Sequence, residues 1–248
     1  MHPILFKIGP INVYSYGVMF AIGFTAAICL ARQQAEKEGF EGDRIIDLGL
    51  YLLIAGIVGA RLLYVLTNPS QYLENPREII MLNHGGLVIY GGIILATFTG
   101  IFFLSKRKIP ILKTADIIFP YLALAQSIGR IGCLLNGCCY GRPTSAPWGI
   151  YFPGQIIALH PTEIYFSLNA LAIFLILKMV EKRKRFTGQI FFLYFILYSA
   201  TRFGIEFFRG DSAHNIFGAL TLSQLISIII FVVALLIYHR RNLLGRTQ

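Results

Sequence analysis

The chain has 248 residues, of which 56% are hydrophobic and only 14% are charged, whereas soluble domains carry about 25% charged residues. Its mean hydropathy is +0.65, which excludes a water-soluble globular protein. The net charge of +10 comes from 22 Lys and Arg against 12 Asp and Glu. These basic residues form short clusters between apolar runs, which indicates a membrane topology and no nucleic-acid partner.

Seven apolar stretches are long enough to cross the membrane as helices, which takes about 20 residues each. They run from Val13 to Ala31, Ile45 to Leu66, Leu87 to Leu104, Ile111 to Leu135, Thr162 to Val180, Gly188 to Phe208 and Phe217 to Tyr238. Pro120 and the glycines near its end predict that the fourth is kinked or broken. We therefore expect an all-α, polytopic membrane protein with seven transmembrane helices and a single domain over residues 1–248.

The basic residues also predict the orientation of the chain. Fifteen of the 22 lie in one set of connections and four in the other, while Arg61, Arg130 and Arg202 lie inside apolar runs. Because cytoplasmic loops carry the excess of Lys and Arg, the first set of connections is cytoplasmic. Seven crossings then place the N-terminus outside and the C-terminus in the cytoplasm.

The three arginines inside apolar runs require a partner or a purpose, because a charge at the bilayer centre costs about 2.5 to 3.5 kcal/mol on insertion scales. At about 1.5 Å of rise per residue, Arg61, Arg130 and Arg202 lie roughly 24, 26 and 21 Å from the cytoplasmic ends of their helices. All three therefore reach the outer half of the membrane. Three other polar residues open helices at the same level, namely Tyr16, His84 and Tyr90. These six residues belong to five different segments of the chain, because His84 and Tyr90 share one. We expect the five segments to meet at this level of the membrane.

The charges around Arg202 and Arg130 predict a binding site for an anion. Arg202, Glu206 and Arg209 are spaced i, i+4 and i+7 and so share one helical face, where Glu206 neutralises one arginine. Arg130 has no carboxylate on its own helix nearer than Asp116, so its counter-charge comes from elsewhere. Guanidinium groups bind phosphate through two parallel hydrogen bonds, which suits a phospholipid headgroup. A buried ion pair that only fixes helix packing is the structural alternative.

Two glycine pairs bracket polar residues in the stretch HGGLVIYGG, which runs from His84 to Gly92. Paired glycines allow positive φ or close approach of two backbones. His84 accepts a proton near neutral pH, and Tyr90 offers a hydroxyl.

Three cysteines lie in the stretch GRIGCLLNGCCYGR, at Cys133, Cys138 and Cys139. Three interpretations stay open: packing of small residues, a Cys133 to Cys138 disulfide that pins the intervening turn, and redox or metal chemistry. A metal site that includes His160 is weaker, because C-x4-C-C is not a usual zinc spacing.

Four segments together resemble the bacterial prolipoprotein diacylglyceryl transferases: HGGLVIYGG from His84, GRIGCLLNGCCYGRPT from Gly129, HPT from His160 and RFGIEFFR from Arg202. With IGP from Ile8 and YSYG from Tyr14, the resemblance covers nearly the whole chain. It implies a multi-pass protein of the bacterial plasma (inner) membrane whose active site faces the outer leaflet. It also implies transfer of the diacylglyceryl group of phosphatidylglycerol to the lipobox cysteine of prolipoproteins, the first step of lipoprotein maturation.

The resemblance also implies roles for individual residues. The expected catalytic residues are His84, Arg130, Arg202 and Tyr16. The expected substrate-binding residues are Arg130, Arg202, Tyr90, Glu206, Gly141 and Asn136. Two positions depart from the family pattern, since Cys133 and Cys138 stand where Asn and Glu are common. The departure leaves two interpretations open: a divergent member with a different lipid or thiol acceptor, or a member in which Asn136 or Glu163 supplies the missing polar group.

In the implied reaction, Arg130 and Arg202 bind the leaving phosphate more strongly as its second charge develops. A free thiol titrates near pH 8.5, so His84 is the candidate base. The scheme requires no metal and no cofactor, and its partners are phosphatidylglycerol, the prolipoprotein signal peptide and membrane lipids. The alternatives are a membrane transporter and a membrane thiol oxidoreductase that uses Cys133, Cys138 and Cys139.

Overall fold

The computed structural model describes residues 1–9, 11–81, 85–210 and 220–244. Within them, two strands form an antiparallel hairpin, β1 (Ile4–Ile8) and β2 (Ile11–Tyr14). The α-helices that follow are α1 (Ser15–Lys37), α2 (Gly42–Thr67), α3 (Pro69–Glu74), α4 (Ile89–Lys106), α5 (Ile111–Asn136), α6 (Thr162–Glu181), α7 (Gln189–Glu206) and α8 (Leu222–Leu244). A short 3-10 helix, Pro76–Ile79, separates α3 from α4.

Each predicted span coincides with one long helix. Six of these helices are long and apolar enough to cross a membrane, namely α1, α2, α4, α5, α6 and α8. The helix α7 is not among them, and it carries Gln189, Arg202 and Glu206 within its 18 residues. The chain is therefore a mostly helical, polytopic membrane protein.

Two local predictions are wrong. The all-α class missed the N-terminal hairpin, and Val13 belongs to β2 and not to the first span. The predicted break in the fourth span is absent, since α5 runs continuously from Ile111 to Asn136 with Pro120 inside it, and the alternative of a kink stays a prediction. A proline inside a helix removes one hydrogen bond and crowds the carbonyl one turn earlier, and Pro120 is fully buried among its neighbours within this helix.

The chain forms two compact units. The small unit is Arg32–Thr114, and the large unit combines Met1–Ala31 with Ala115–Gln248. In the small unit α2 packs against α4, and in the large unit α7 packs against α6 and α8.

Glycine lets the backbones of α2 and α4 touch in the small unit. A Cβ added to Gly59 would lie 2.4 Å from the carbonyl oxygen of Gly91, and one added to Gly91 would lie 2.3 Å from that of Gly59. Small residues serve membrane helix pairs in this way. The second glycine pair of HGGLVIYGG is thus a packing device.

We expect Gly59→Ala to destabilise this helix pair by about 1 to 3 kcal/mol, because the added methyl group would meet backbone that cannot move aside cheaply. Gly56→Ala is the matched control, since a Cβ at Gly56 on the same helix meets nothing within 4 Å. Thermal unfolding in detergent micelles measures both variants. Equal losses of melting temperature in the two variants would contradict this account.

A buried carboxylate fixes the start of α7 in the large unit. Asp116 of α5 is 1% exposed and accepts hydrogen bonds from the backbone N–H groups of Gly188, at 2.7 Å, and Phe191, at 3.0 Å. The Lys184 ammonium lies 3.4 Å from the same carboxylate. An acidic group at a helix N-terminus satisfies N–H groups that have no partner within the helix. This contact ties α7 to α5, and these two helices carry Arg202 and Arg130 near their other ends.

Side-chain contacts complete the packing around α5. The ring of Phe119 on α5 lies 4.7 Å from that of Phe191 and 5.0 Å from that of Tyr194, both on α7. On another side of α5, the Ser167 hydroxyl of α6 donates to the carbonyl of Ser127 at 2.9 Å. These contacts fix the positions of α5, α6 and α7 relative to one another along their axes.

Candidate functional site

Arg130 and Arg202 lie against the same aromatic ring. Phe166 of α6 is 4% exposed, and its ring centroid lies 4.5 Å from the guanidinium carbon of Arg130 and 5.0 Å from that of Arg202. A desolvated ring face attracts a cation with about 2 kcal/mol. The structure therefore brings the two predicted arginines together on a ring supplied by a third helix.

Arg202 is also held by polar partners from α7 and α8. Its Nη1 lies 2.8 Å from Oε2 of Glu206, and its Nη2 donates to the Ser223 hydroxyl at 3.3 Å. The Thr221 hydroxyl donates to the other oxygen of Glu206 at 3.2 Å, and Glu206 is 3% exposed. The predicted pairing of Glu206 with an arginine is thus present, and it selects Arg202.

The charge of Arg130 is not matched in the same way. In the described part of the chain, no carboxylate lies within ion-pair distance of its guanidinium group, which rests on the ring of Phe166. Glu163, in the first turn of α6, is fully buried one turn before Phe166. Among the described residues, Arg202 is therefore paired with a carboxylate and Arg130 is not.

Tyr16 lies at the same end of the large unit. It belongs to the first turn of α1, which packs on α5 so closely that a Cβ added to Gly132 would lie 3.2 Å from the Cα of Tyr16. The Tyr16 hydroxyl is within electrostatic range of Arg130 and of the three neighbouring cysteines. Tyr16, Arg130 and Arg202 thus share one region, as expected from their predicted depth.

The three cysteines after Arg130 form a cluster of free thiols, the cysteine cluster. The Sγ atoms of Cys133, Cys138 and Cys139 all lie within 4.8 Å of one another, and none of the three is in a disulfide. Burial raises the pKa of the Cys138 thiol, and a hydrogen bond with Cys133, together with burial, raises that of Cys139. The side chain of Asn136, a predicted substrate-binding residue, hydrogen-bonds with Cys138. The two loop cysteines are therefore protonated at neutral pH.

Gly141 joins three segments of the chain. Its N–H donates to the carbonyl of His160 at 2.8 Å, and its backbone pairs with that of Arg209 in an isolated bridge. A Cβ added to Gly141 would lie 2.3 Å from the carbonyl oxygen of Phe208. The geometry therefore gives Gly141 a packing role beside the predicted role in substrate binding.

The shared helical face of Arg202, Glu206 and Arg209 is only partly present. The helix α7 ends at Glu206, so Arg209 lies beyond it, and its carbonyl accepts a hydrogen bond from Nε of Arg142 at 2.9 Å. The prediction that Arg209 continues the helical face is wrong, because the backbone bridge to Gly141 redirects the chain there.

Arg61 has a structural role within the small unit. It is 6% exposed, and its guanidinium group donates to five backbone carbonyls, those of Glu78, Ile79, Met81, Gly85 and Gly86. A guanidinium group has five N–H donors. The donors of Arg61 are therefore taken up by the backbone of the segment before α4, and the convergence expected for its helix stays a prediction.

The remaining predicted residues belong to the same small unit. His84 lies outside the described residues. Gly85 and Gly86, which follow it, adopt the left-handed region with φ of +78° and +77°, as the glycine pair predicts. Tyr90 lies in the first turn of α4 and is 47% exposed. The roles of His84 and Tyr90 stay predictions.

Sequence reasoning missed the residues that hold the two arginines in place. Phe166 is one apolar residue among many in its span, and nothing in the sequence marks its ring as shared. Thr221 and Ser223 carry a weak sequence signal, because they lie at the start of α8, where Thr221 and Gln224 form a capping box. The Thr221 N–H donates to Gln224 at 2.9 Å, and the Gln224 N–H donates to Thr221 at 3.2 Å. The predicted start of this helix, Phe217, lies outside the described residues.

Membrane-length helices, with two arginines held on one buried ring, define a polytopic membrane protein that concentrates positive charge at one place in its large unit. Residues 3–240 match the family model described as prolipoprotein diacylglyceryl transferase. The chain therefore belongs to the prolipoprotein diacylglyceryl transferase family, which confirms the family that the motifs indicated.

Individual relatives agree along their whole length. The chain is 40% identical over 238 residues to the phosphatidylglycerol--prolipoprotein diacylglyceryl transferase of Finegoldia magna, covering 96% of this chain and 94% of the relative. It is 36% identical over 244 residues to the protein of the same name from Clostridium tetani, with 96% and 97% covered. It is 37% identical over 254 aligned positions to phosphatidylglycerol--prolipoprotein diacylglyceryl transferase 2 of Clostridium perfringens, with 100% and 98% covered.

Proposed function

We propose that the protein is a transferase that moves the diacylglyceryl group of phosphatidylglycerol to the thiol of the lipobox cysteine in prolipoprotein signal peptides. Family membership and the names of the relatives support this activity. The observation that carries it is the meeting of Arg130 and Arg202 on the ring of Phe166. Neither alternative, a transporter or a thiol oxidoreductase, gains support from the family.

The chemistry requires a site for a phosphate whose charge grows during the reaction. The acceptor sulfur forms a bond to the terminal glycerol carbon of the diacylglyceryl group, the bond from that carbon to the phosphate oxygen breaks, and the electron pair leaves with glycerol phosphate. The phosphate passes from one negative charge toward two. Groups that bind it more strongly at that stage lower the barrier.

The two arginines suit this task in different ways. Arg202 is oriented in advance by Glu206 and Ser223, while Arg130 has no described carboxylate beside it and rests on the ring of Phe166. The lipid phosphate then supplies a counter-charge to Arg130. Both guanidinium groups keep their proton and offer a planar fork to phosphate oxygens.

The remaining roles are assigned as follows. His84 is the base that takes the thiol proton, Tyr16 and Tyr90 orient the headgroup, and Glu206, Asn136 and Gly141 line the donor site. Tyr16 is supported by its position within electrostatic range of Arg130. His84 is supported by the sequence motif alone.

In the membrane, α7 is the seventh span beside the six long apolar helices, and the whole chain acts as one domain. The distribution of basic residues supports an N-terminus outside and a C-terminus in the cytoplasm. Arg130 and Arg202 lie near the C-terminal ends of α5 and α7, away from the basic connections at Lys113 and Lys184. The site then faces the outer leaflet of the plasma (inner) membrane.

The purified full-length protein in detergent should convert a lipobox peptide when phosphatidylglycerol is supplied. Mass spectrometry is expected to show one diacylglyceryl group on the peptide cysteine. A peptide with Ser in place of that Cys, and phosphatidylethanolamine in place of the donor, are the controls. Unchanged peptide in the complete reaction, with protein that elutes as a folded species, would refute the activity.

A further inference from the structure

The turn after α5 gathers the thiols of the cysteine cluster through an unusual backbone. Gly137 has a φ of +73°, and Cys139 adopts the left-handed region as a non-glycine residue, with a φ of +66°. That conformation costs a residue with a side chain about 1 to 2 kcal/mol. It is held by the Thr162 hydroxyl, which donates to the carbonyl of Cys139 at 2.8 Å. Strain of this kind persists where the surrounding structure enforces it.

The resulting geometry matches a thiolate metal site. The Sγ atoms of Cys138 and Cys139 are 3.4 Å apart, and all three Sγ atoms of the cluster lie within 4.8 Å. Tetrahedral zinc with Zn–S bonds of about 2.3 Å requires sulfur atoms roughly 3.8 Å apart. The strained turn explains how a C-x4-C-C spacing reaches this arrangement.

The cluster also lies next to Arg130, the residue proposed to bind the leaving phosphate. Cys133 follows Arg130 by three residues on α5, so the two side chains occupy one helical face. Arg130 and the three thiols all interact electrostatically with Tyr16. Catalytic zinc sites hold the metal with three protein ligands and leave the fourth position to a substrate or water.

We infer that Cys133, Cys138 and Cys139 bind a zinc ion whose fourth position takes the lipobox thiol. The inference rests on the proposed function. Coordination removes the proton of the acceptor thiol, and the proton passes to solvent or to a base. The sulfur lone pair then attacks the glycerol carbon, the carbon–oxygen bond breaks, and its electron pair leaves with the phosphate held by Arg130 and Arg202. Zinc stays divalent throughout, and no oxidant or reductant takes part.

Cobalt(II) is the probe for this site. The full-length protein, purified under reducing conditions and loaded with Co²⁺, is expected to bind one equivalent with thiolate-to-cobalt charge transfer and the d–d bands of a tetrahedral ion. The lipobox peptide should shift these bands, whereas the peptide with Ser in place of Cys should not. Cys138→Ser should abolish the charge transfer, and Cys29→Ser, which alters an exposed cysteine of α1, should leave it intact.

The inference is overturned if the reduced wild-type protein shows no charge-transfer or d–d bands. It is also overturned if these bands do not shift when the lipobox peptide is added. Circular dichroism and size-exclusion elution establish that Cys138→Ser is folded. The transfer assay on the same samples separates the two claims. If Cys138→Ser and chelator-treated enzyme transfer at the wild-type rate, the zinc site is refuted and the proposed function stands. A peptide-responsive cobalt spectrum without any transfer from phosphatidylglycerol refutes the proposed function instead. We expect transfer by Cys138→Ser to fall by about 100-fold, the scale of losing thiol activation.

Discussion

Arg130→Lys is expected to lower the rate of diacylglyceryl transfer by about 100-fold or more, which is the effect of removing one donor from a site that stabilises developing negative charge. Lysine keeps the positive charge but loses the fork that binds two phosphate oxygens and the flat face that rests on Phe166. Because the phosphate gains its second charge only as the carbon–oxygen bond breaks, most of the loss should appear in kcat. Initial rates at varied phosphatidylglycerol concentrations measure both kcat and KM.

The matched control is Arg44→Lys, because Arg44 forms an exposed pair with Glu41 in the small unit. That variant should transfer at nearly the wild-type rate, since exposed ion pairs contribute little. Arg202→Lys should also be impaired, and its melting temperature should fall as well, because Arg202 forms an ion pair with the buried Glu206 carboxylate. Near-normal kcat in a folded Arg130→Lys enzyme would count decisively against phosphate binding by this residue.

The spans were predictable because bilayer thickness imposes one length on every helix that crosses it. The apolar runs predicted where each long helix begins and ends, and most of these predicted ends lie within a few residues of the observed ones. The N-terminal hairpin was not predicted, because its second strand leads directly into the apolar run of α1 and was counted as part of that run. Pro120 was misjudged because a break requires more than one missing hydrogen bond, and tight packing around a buried proline keeps α5 continuous.

The candidate site was predictable in its charges and not in its geometry. Depth along a helix follows from counting residues, so Arg61, Arg130 and Arg202 looked alike in the sequence. Their contacts differ because Arg61 donates to backbone carbonyls. Every residue has a backbone carbonyl, so the sequence cannot indicate which ones Arg61 will contact. The ring of Phe166 was invisible for a related reason, since an aromatic residue in an apolar span packs against lipid or core far more often than against two cations.

Arg61→Met is expected to destabilise the small unit by about 3 to 5 kcal/mol, the range for removing one partner of a buried charged network. The substitution leaves five carbonyls around residues 78–86 without the donors of a guanidinium group that is itself buried, with Arg61 only 6% exposed. Arg61→Lys should fall between wild type and Arg61→Met, because an ammonium group has three donors. Thermal unfolding in detergent and hydrogen exchange of the backbone amides in residues 78–81 and 85–88 measure the effect.

Arg77→Met is the control for that series, since Arg77 lies in the same loop region and is exposed. The loop that Arg61 holds continues directly from His84, because Gly85 and Gly86 are the next two residues and both accept from its guanidinium group. If His84 is the base, a loosened loop lowers kcat even though Arg61 has no spare donor for substrate. Arg61→Met should therefore lose transfer activity and loop protection together, whereas Arg77→Met keeps both. Full exchange protection in Arg61→Met would show that other contacts hold the loop and would remove Arg61 from this role.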